Sequence, residues 1–326
     1  MKYLTFAAGL LCASAAMAET PTLTVYTYDS FISEWGPGPA IEKAFEADCG
    51  CDLVFVGAGD GAALLARLKL EGQRTDADVV LGLDTNLTEA ARETGLFAPS
   101  GVDAEYSLPV AWDDDTFVPY DWGYFAFVYD TKLQDVPQDF LELARSDLKI
   151  VIQDPRSSTP GLGLLLWVKD AYGDDAKQIW TDLADNIVTV TKGWSEAYGL
   201  FLDGEADMVL SYTTSPAYHI IAEDDRSKEA AAFDEGHYMQ VEVAAKLAGS
   251  DQPELADKFL QFMVSDAFQS VIPTTNWMYP AVIPAEGLPA GFEDLIEPHK
   301  SLLVPSAEVP ALRDAALSEW LDALSQ

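Results

Sequence analysis

Positive charge is scarce in this sequence: 19 Lys plus Arg stand against 54 Asp plus Glu, a formal net charge of −35 over 326 residues. That balance argues against nucleic acid and anionic membranes as partners, because both recruit basic patches. Most of the acidic excess reads as a solvated surface, although its long-range field favours a cationic ligand. Histidine is scarce, with His219, His237 and His299 alone. None has a metal-ligand spacing, so each is read as structural and no metal is expected. Cysteine is equally scarce: Cys12, Cys49 and Cys51. Cys12 follows Leu11 where a lipoprotein signal has Gly, Ala or Ser, which argues against a lipid anchor. No Walker lysine follows the glycines at 57–61, and GxGxxG, GxSxG and HExxH are missing, so nucleotide binding and secreted hydrolase chemistry lack support. Past the N-terminus, no run approaches the ~20 apolar residues of a bilayer span.

What is present begins with an export signal. Lys2, an apolar run through Leu11 and the small-residue site Ala16-Met17-Ala18 read as a signal peptide over 1–18, cleaved after Ala18, which sends the chain to the periplasm. Such an oxidising compartment allows Cys49 and Cys51 to pair across Gly50. With 49% hydrophobic residues the chain can bury a large core, and its length suggests two domains.

The stretch from Thr189 to Tyr218 organises the rest. Ala197, Leu200 and Phe201 form a helical stripe that Gly204 breaks, and Met208-Val209-Leu210 is a short buried run of parallel-strand type. Trp194 opens that helix, and Tyr212 to Tyr218 follows the strand. Ligands of open α/β sheets sit beyond the carboxyl ends of strands, which is where these hydroxyls and rings fall. The unit of helix, glycine, acidic turn and buried strand at 202–211 echoes 70–84, as expected of two similar α/β lobes. Earlier, Thr22 to Tyr28 alternates as a strand, Leu53 to Val56 forms another, and Leu64, Leu65, Leu68 and Leu70 are expected on or near one helical face. From Phe117 to Asp130 an aromatic-rich strand suits a crossing between lobes, with Tyr120, Trp122 and Tyr124 as interlobe packing. Pro160 is expected at a first helical position with Ser158 or Thr159 as its cap, offering N–H groups and hydroxyls to an anion such as phosphate. The boundaries are 19–119 for the first part of lobe 1, 120–240 for lobe 2 and 241–285 for the return to lobe 1. Residues 286–326 form a C-terminal segment whose helix packs on a lobe.

Several passages together resemble the family of periplasmic thiamine-binding proteins that serve thiamine ABC transporters. They are LTVYTYDSF from Leu23, WGPGPA from Trp35, FEADCGC from Phe45, DPRSSTPGLGLLLW from Asp154, TVTKGWSEAYGLFL from Thr189, VLSYTTSPAYH from Val209 and NWMYP from Asn276. The resemblance covers nearly all of the mature chain and implies a two-lobed periplasmic-binding-protein (Venus flytrap) α/β fold with its ligand cleft between lobes. It implies ligand positions at Asp60, Gly61, Ser158, Thr159, Trp194, Tyr212, Thr213, Thr214 and Ser215, with Tyr28, Trp35, Tyr218 and Trp277 as an aromatic wall. The cargo would be thiamine, thiamine monophosphate or thiamine diphosphate, presented by a monomer to an inner-membrane permease, with no cofactor. The sequence departs from the family pattern in its acidity and at Gly57-Ala58-Gly59. Alternatives are a carrier for ferric ion or an organic cation, and a thiaminase-like enzyme. Tyr212-Thr213 lacks the paired tyrosine of iron-binding relatives, and a thiaminase needs a cleft cysteine.

Overall fold

The opening alternation TLTVYT forms β1 (Thr22–Thr27), and β2 (Asp52–Gly57) and β3 (Val79–Asp84) flank it in parallel. Parallel neighbours need crossovers. Here the helices Gly38–Cys49 and Gly61–Glu71 supply them, burying Ile41 and Phe45 from one and Leu64, Leu65 and Leu68 from the other. Leu70 does not join that face and is 82% exposed. Two residues past Leu68 is about 200° around a helix, so the leucine count overstated the stripe. Cys49 and Cys51 are joined in a disulfide at the junction of the first helix and β2.

After β3 come β4 (Val118–Asp130), β5 (Ile150–Gln153), β6 (Ile187–Thr191), β7 (Met208–Tyr212), β8 (Lys228–Ala230), β9 (His237–Lys246), β10 (Tyr279–Pro280) and β11 (Ser301–Leu302). The main order is β2-β1-β3-β9-β4-β7-β5-β6 in one continuous, curled sheet. Its two halves meet at β4. Residues Val118 to Tyr124 of that strand pair antiparallel with β9, whereas Phe125 to Tyr129 pair antiparallel with β7. The chain thus changes partner between Tyr124 and Phe125, and β9 brings it back. Tyr120 is fully buried and Trp122 stacks on Tyr279 at 4.6 Å, so these aromatics pack the junction.

In the second half, Leu162 to Val168 are buried in the helix Thr159–Tyr172, and Trp167 Nε1 donates to the Gly236 carbonyl at 3.0 Å. The C-terminal helix Val309–Leu324 packs on this helix and on Ala176–Leu183, burying Ala316 and Trp320 and pairing Glu319 with Lys169 at 2.7 Å. These features come from a computed structural model that describes residues 20–325. The signal peptide over 1–18 and its cleavage after Ala18 lie outside the described residues. Among the described residues no helix is long and apolar enough to cross a membrane.

Candidate ligand-binding site

A cavity of about 490 Å³ opens where the two halves face each other, within the ~300–1,000 Å³ typical of small-molecule sites. Its wall is built from strand ends. Tyr28 and Ser30 follow β1, Asp60 follows β2, Pro160 lies beyond β5, Trp194 and Tyr198 beyond β6, and Tyr212, Ser215 and Tyr218 at or beyond β7. The crossing strand β9 adds Gln240 and Glu242, and Asn276-Trp277-Met278 closes the circuit with Trp35. All of β1, β2, β5, β6 and β7 run parallel to a neighbour, so their carboxyl ends converge on one crevice.

The aromatic rings are held by specific contacts. Trp194 stacks on Tyr198 at 5.0 Å, and its Nε1 donates to Ser211 Oγ at 2.7 Å. Trp35, half-exposed, tilts toward Trp194 with 6.2 Å between ring centroids. Tyr218 meets Trp277 edge-on at 5.3 Å. Trp277 has φ 57°, a left-handed conformation that bulky residues rarely adopt, and its N–H caps the helix Ile272–Thr275 by donating to the Ile272 carbonyl. The Tyr28 ring lies over Gly82, whose φ is 105° and where a Cβ would stand 2.2 Å from that ring.

The same wall is acidic, and no Lys, Arg or His lines it among the described residues. Glu242 Oε2 accepts from the Tyr120 hydroxyl at 2.7 Å and the Tyr28 hydroxyl at 3.1 Å. Burial lifts Glu242 to about 7 despite those donors. Behind it, burial and the charge of Glu242 push Asp121 far above the carboxylate range. Burial likewise raises Asp84 to about 8. Asp60 is raised by burial and held down by its bonds to Ser158, Gly61 and Thr159. Desolvation without a compensating cation is the common cause.

Of the positions expected from the sequence, Tyr28, Trp35, Asp60, Trp194, Tyr212, Ser215, Tyr218 and Trp277 line the cavity. Gly61, Ser158, Thr159, Thr213 and Thr214 are buried outside that lining. Ser158 holds the cap position of the helix Thr159–Tyr172, but its side chain makes no cap bond, and Pro160 follows Thr159 rather than opening the helix. Its hydroxyl donates instead to Asp60 Oδ2 at 2.8 Å. The anion place at this helix start is therefore held by a carboxylate from the opposite loop, which the local sequence could not reveal. Gly61 permits the approach, since a Cβ there would lie 2.3 Å from Thr159 Oγ1. The unusual Gly57-Ala58-Gly59 run is anchored, with Gly59 N donating to Asp29 Oδ1 at 3.0 Å.

Sequence reasoning missed Glu242, Gln240 and Tyr198 as wall residues. Polar side chains alternating with Met239, Val241 and Val243 look like a solvent face, yet a strand between two halves turns them to the cleft. His219 also has more to do than fill space: it bonds Tyr198 at 2.9 Å through Nε2 and Glu223 at 2.8 Å through Nδ1. With Asp225 these two form a group close enough to hold a metal, but His219 and Glu223 already bond each other and Asp225 accepts from Ser227. The i,i+4 spacing of His219 and Glu223 was the available signal.

A two-lobed α/β fold enclosing an aromatic, acidic cavity between strand ends defines a solute-binding protein. The chain matches the bacterial extracellular solute-binding protein family over residues 37–270 and belongs to that family. It is 61% identical to the thiamine-binding periplasmic protein of Escherichia coli (strain K12), over 97% of each chain. It is 54% identical to the protein of the same name from Brucella suis biovar 1, over 96% of this chain and 95% of that one. A solved structure titled periplasmic thiamin binding protein shares 60% identity and superposes with a TM-score of 0.92, covering 98% of this chain and 100% of that chain.

Proposed function

We propose that this chain is the periplasmic solute-binding component of an ABC importer, that it carries thiamine, and that it hands the vitamin unchanged to an inner-membrane permease. One observation carries the reading: seven aromatic side chains (Tyr28, Trp35, Trp194, Tyr198, Tyr212, Tyr218 and Trp277) and the carboxyl groups of Asp60 and Glu242 share a wall without a basic residue. A thiazolium is a delocalised cation on a flat ring. Ring faces attract such a cation by roughly 0.5–2 kcal/mol each, depending on desolvation. The aminopyrimidine has N–H donors, which suit the acceptors on β9. Relatives bearing the thiamine-binding name at 61% and 54% identity support the same ligand.

Export through removal of residues 1–18 and action as a monomer belong to this proposal. So do thiamine monophosphate and thiamine diphosphate as further cargo. Their phosphate would lie toward the start of the helix Thr159–Tyr172, once the Asp60 carboxylate yields that place. The direct test is calorimetric titration of purified, ligand-stripped protein with thiamine. Absence of binding at micromolar concentrations overturns the reading, and recovery of altered thiamine after incubation would indicate a thiaminase-like enzyme instead.

A further inference from the structure

Asp121 of β4 and Glu242 of β9 stand opposite each other in the strand register. Asp121 is inaccessible to solvent, and Glu242 is 6% exposed at the cavity wall. The groups facing them come from every adjoining element: Tyr28 after β1, Asp60 after β2, Asp84 of β3, Tyr120 of β4, Tyr212 of β7 and Asn276. None carries positive charge. Asn276 Nδ2 donates to Asp121 Oδ2 at 2.6 Å, while Asp121 Oδ1 is buried with no donor. Leaving an ionised oxygen in that state is costly. Two facing carboxyls in an unbalanced, desolvated site favour at least one proton on the pair, and on Asp121 it supplies the donor that Oδ1 lacks.

We infer that Asp121 and Glu242 are the specificity-determining pair of this cavity: Asp121 keeps its buried proton throughout, Glu242 takes up another when the cavity is empty, and a cationic ligand seated beside Glu242 replaces that second one. The exchange balances in charge. One proton leaves Glu242 for the buffer as one positive ligand enters, and Asp121 stays protonated beside the ionised Glu242. An uncharged ligand of the same shape brings nothing to offset the Glu242 carboxylate, so the Glu242 proton stays and the ligand forgoes the ion pair. The inference rests on the thiamine reading and adds to it the device that selects charge.

The sign of the pH effect follows. Glu242 is raised to about 7 in the empty protein. Below that value protons compete with the ligand, so affinity for thiamine rises with pH and levels off above it.

Calorimetry of the exported protein with thiamine, in buffers of different ionisation enthalpy, counts the protons directly. The expected result is close to one proton released per thiamine below about pH 6, with affinity falling up to about tenfold per pH unit there. Glu242→Gln can still accept from both tyrosines. It should abolish the release, flatten the pH profile and weaken thiamine at least tenfold, while changing the affinity for an analogue with a neutral ring in place of the thiazolium by no more than about twofold. Thiamine binding without proton release, or release that persists in Glu242→Gln, overturns the inference and leaves the thiamine reading standing. If thiamine does not bind at all, both fall. Should the variant fail to fold, the proton count of the unaltered protein decides alone.

Discussion

Ser158 Oγ donates to Asp60 Oδ2 at 2.8 Å, tying the loop after β2 to the first turn of the helix Thr159–Tyr172. Beside it, Ala63 N donates to the Ser157 carbonyl at 3.0 Å. Both bonds join segments that lie on opposite sides of the β4 partner switch, so they tie the two walls of the cleft together. The Asp60 carboxylate also sits where a helix N-terminus favours negative oxygen. One side chain thereby completes the acidic wall for a cation and competes with phosphate for the same place.

A prediction about the phosphate esters follows from that competition. Asp60 is raised by burial, so it takes up a proton more readily than an exposed aspartate and then no longer repels phosphate. Binding of thiamine monophosphate, relative to thiamine, should weaken as pH rises and Asp60 ionises. Asp60→Asn should improve the monophosphate relative to thiamine and remove the pH dependence of that ratio. Titrations with both ligands at several pH values measure it. A ratio that does not respond to Asp60→Asn would place the phosphate elsewhere.

The two tryptophans that tilt together at 6.2 Å should respond differently to truncation. Trp35 is 52% exposed, so Trp35→Ala should leave the unfolding midpoint almost unchanged while weakening thiamine by about 1–2 kcal/mol. Trp194 also stacks on Tyr198 and donates to Ser211, so Trp194→Ala should weaken thiamine by about 1–3 kcal/mol and lower stability as well. Chemical denaturation alongside ligand titration separates the two effects. Equal stability losses would mean that both rings mainly pack.

Trp277 offers a test of strain held for function. Its left-handed backbone costs roughly 1–2 kcal/mol for a residue with a Cβ, and glycine escapes that cost. Trp277→Gly should therefore lose affinity for thiamine with little net loss of stability, because relieved strain offsets the lost contact with Tyr218. Unaltered affinity in this variant would remove Trp277 from the binding wall.

Much of this architecture is legible before any coordinates. The strands at 22–27 and 208–212, the crossing strand from Val118 and the converging loops all follow from periodicity and turn chemistry, because each depends on neighbours in sequence. What escaped depends on partners far along the chain. Ser158 looks like a free hydroxyl until Asp60, 98 residues away, accepts its hydrogen bond. Glu242 looks solvent-facing until Tyr28 and Tyr120, far away in sequence, close over its carboxyl. The loop aromatics Trp194 and Tyr218 stand out in the sequence because Trp and Tyr in loops have few other uses, whereas a carboxyl is the commonest surface group of so acidic a chain.

The final prediction concerns folding stability and the acid beneath the cavity. Asp84 is inaccessible to solvent and accepts from Asn86 Nδ2 at 2.7 Å and from Asn86 N at 3.2 Å, yet burial lifts it to about 8. In the unfolded chain an aspartate titrates at about 3.9. Between those values the folded protein binds a proton that the unfolded chain has released. A raised carboxyl contributes stability that is complete below its unfolded pKa and is lost as pH rises through its folded one. Glu242, lifted to about 7, acts in the same direction, and so does general repulsion at a net charge of −35. The urea midpoint should therefore fall from about pH 5 to pH 8, with the slope m unchanged. Asp84→Asn cannot ionise, so it should reduce that fall without erasing it, since Glu242 and the surface charge remain. The difference between the two pH profiles isolates Asp84 from the other acids. A midpoint in the unaltered protein that rises over this interval, or an Asp84→Asn profile parallel to it, would show that Asp84 is ionised in the folded state.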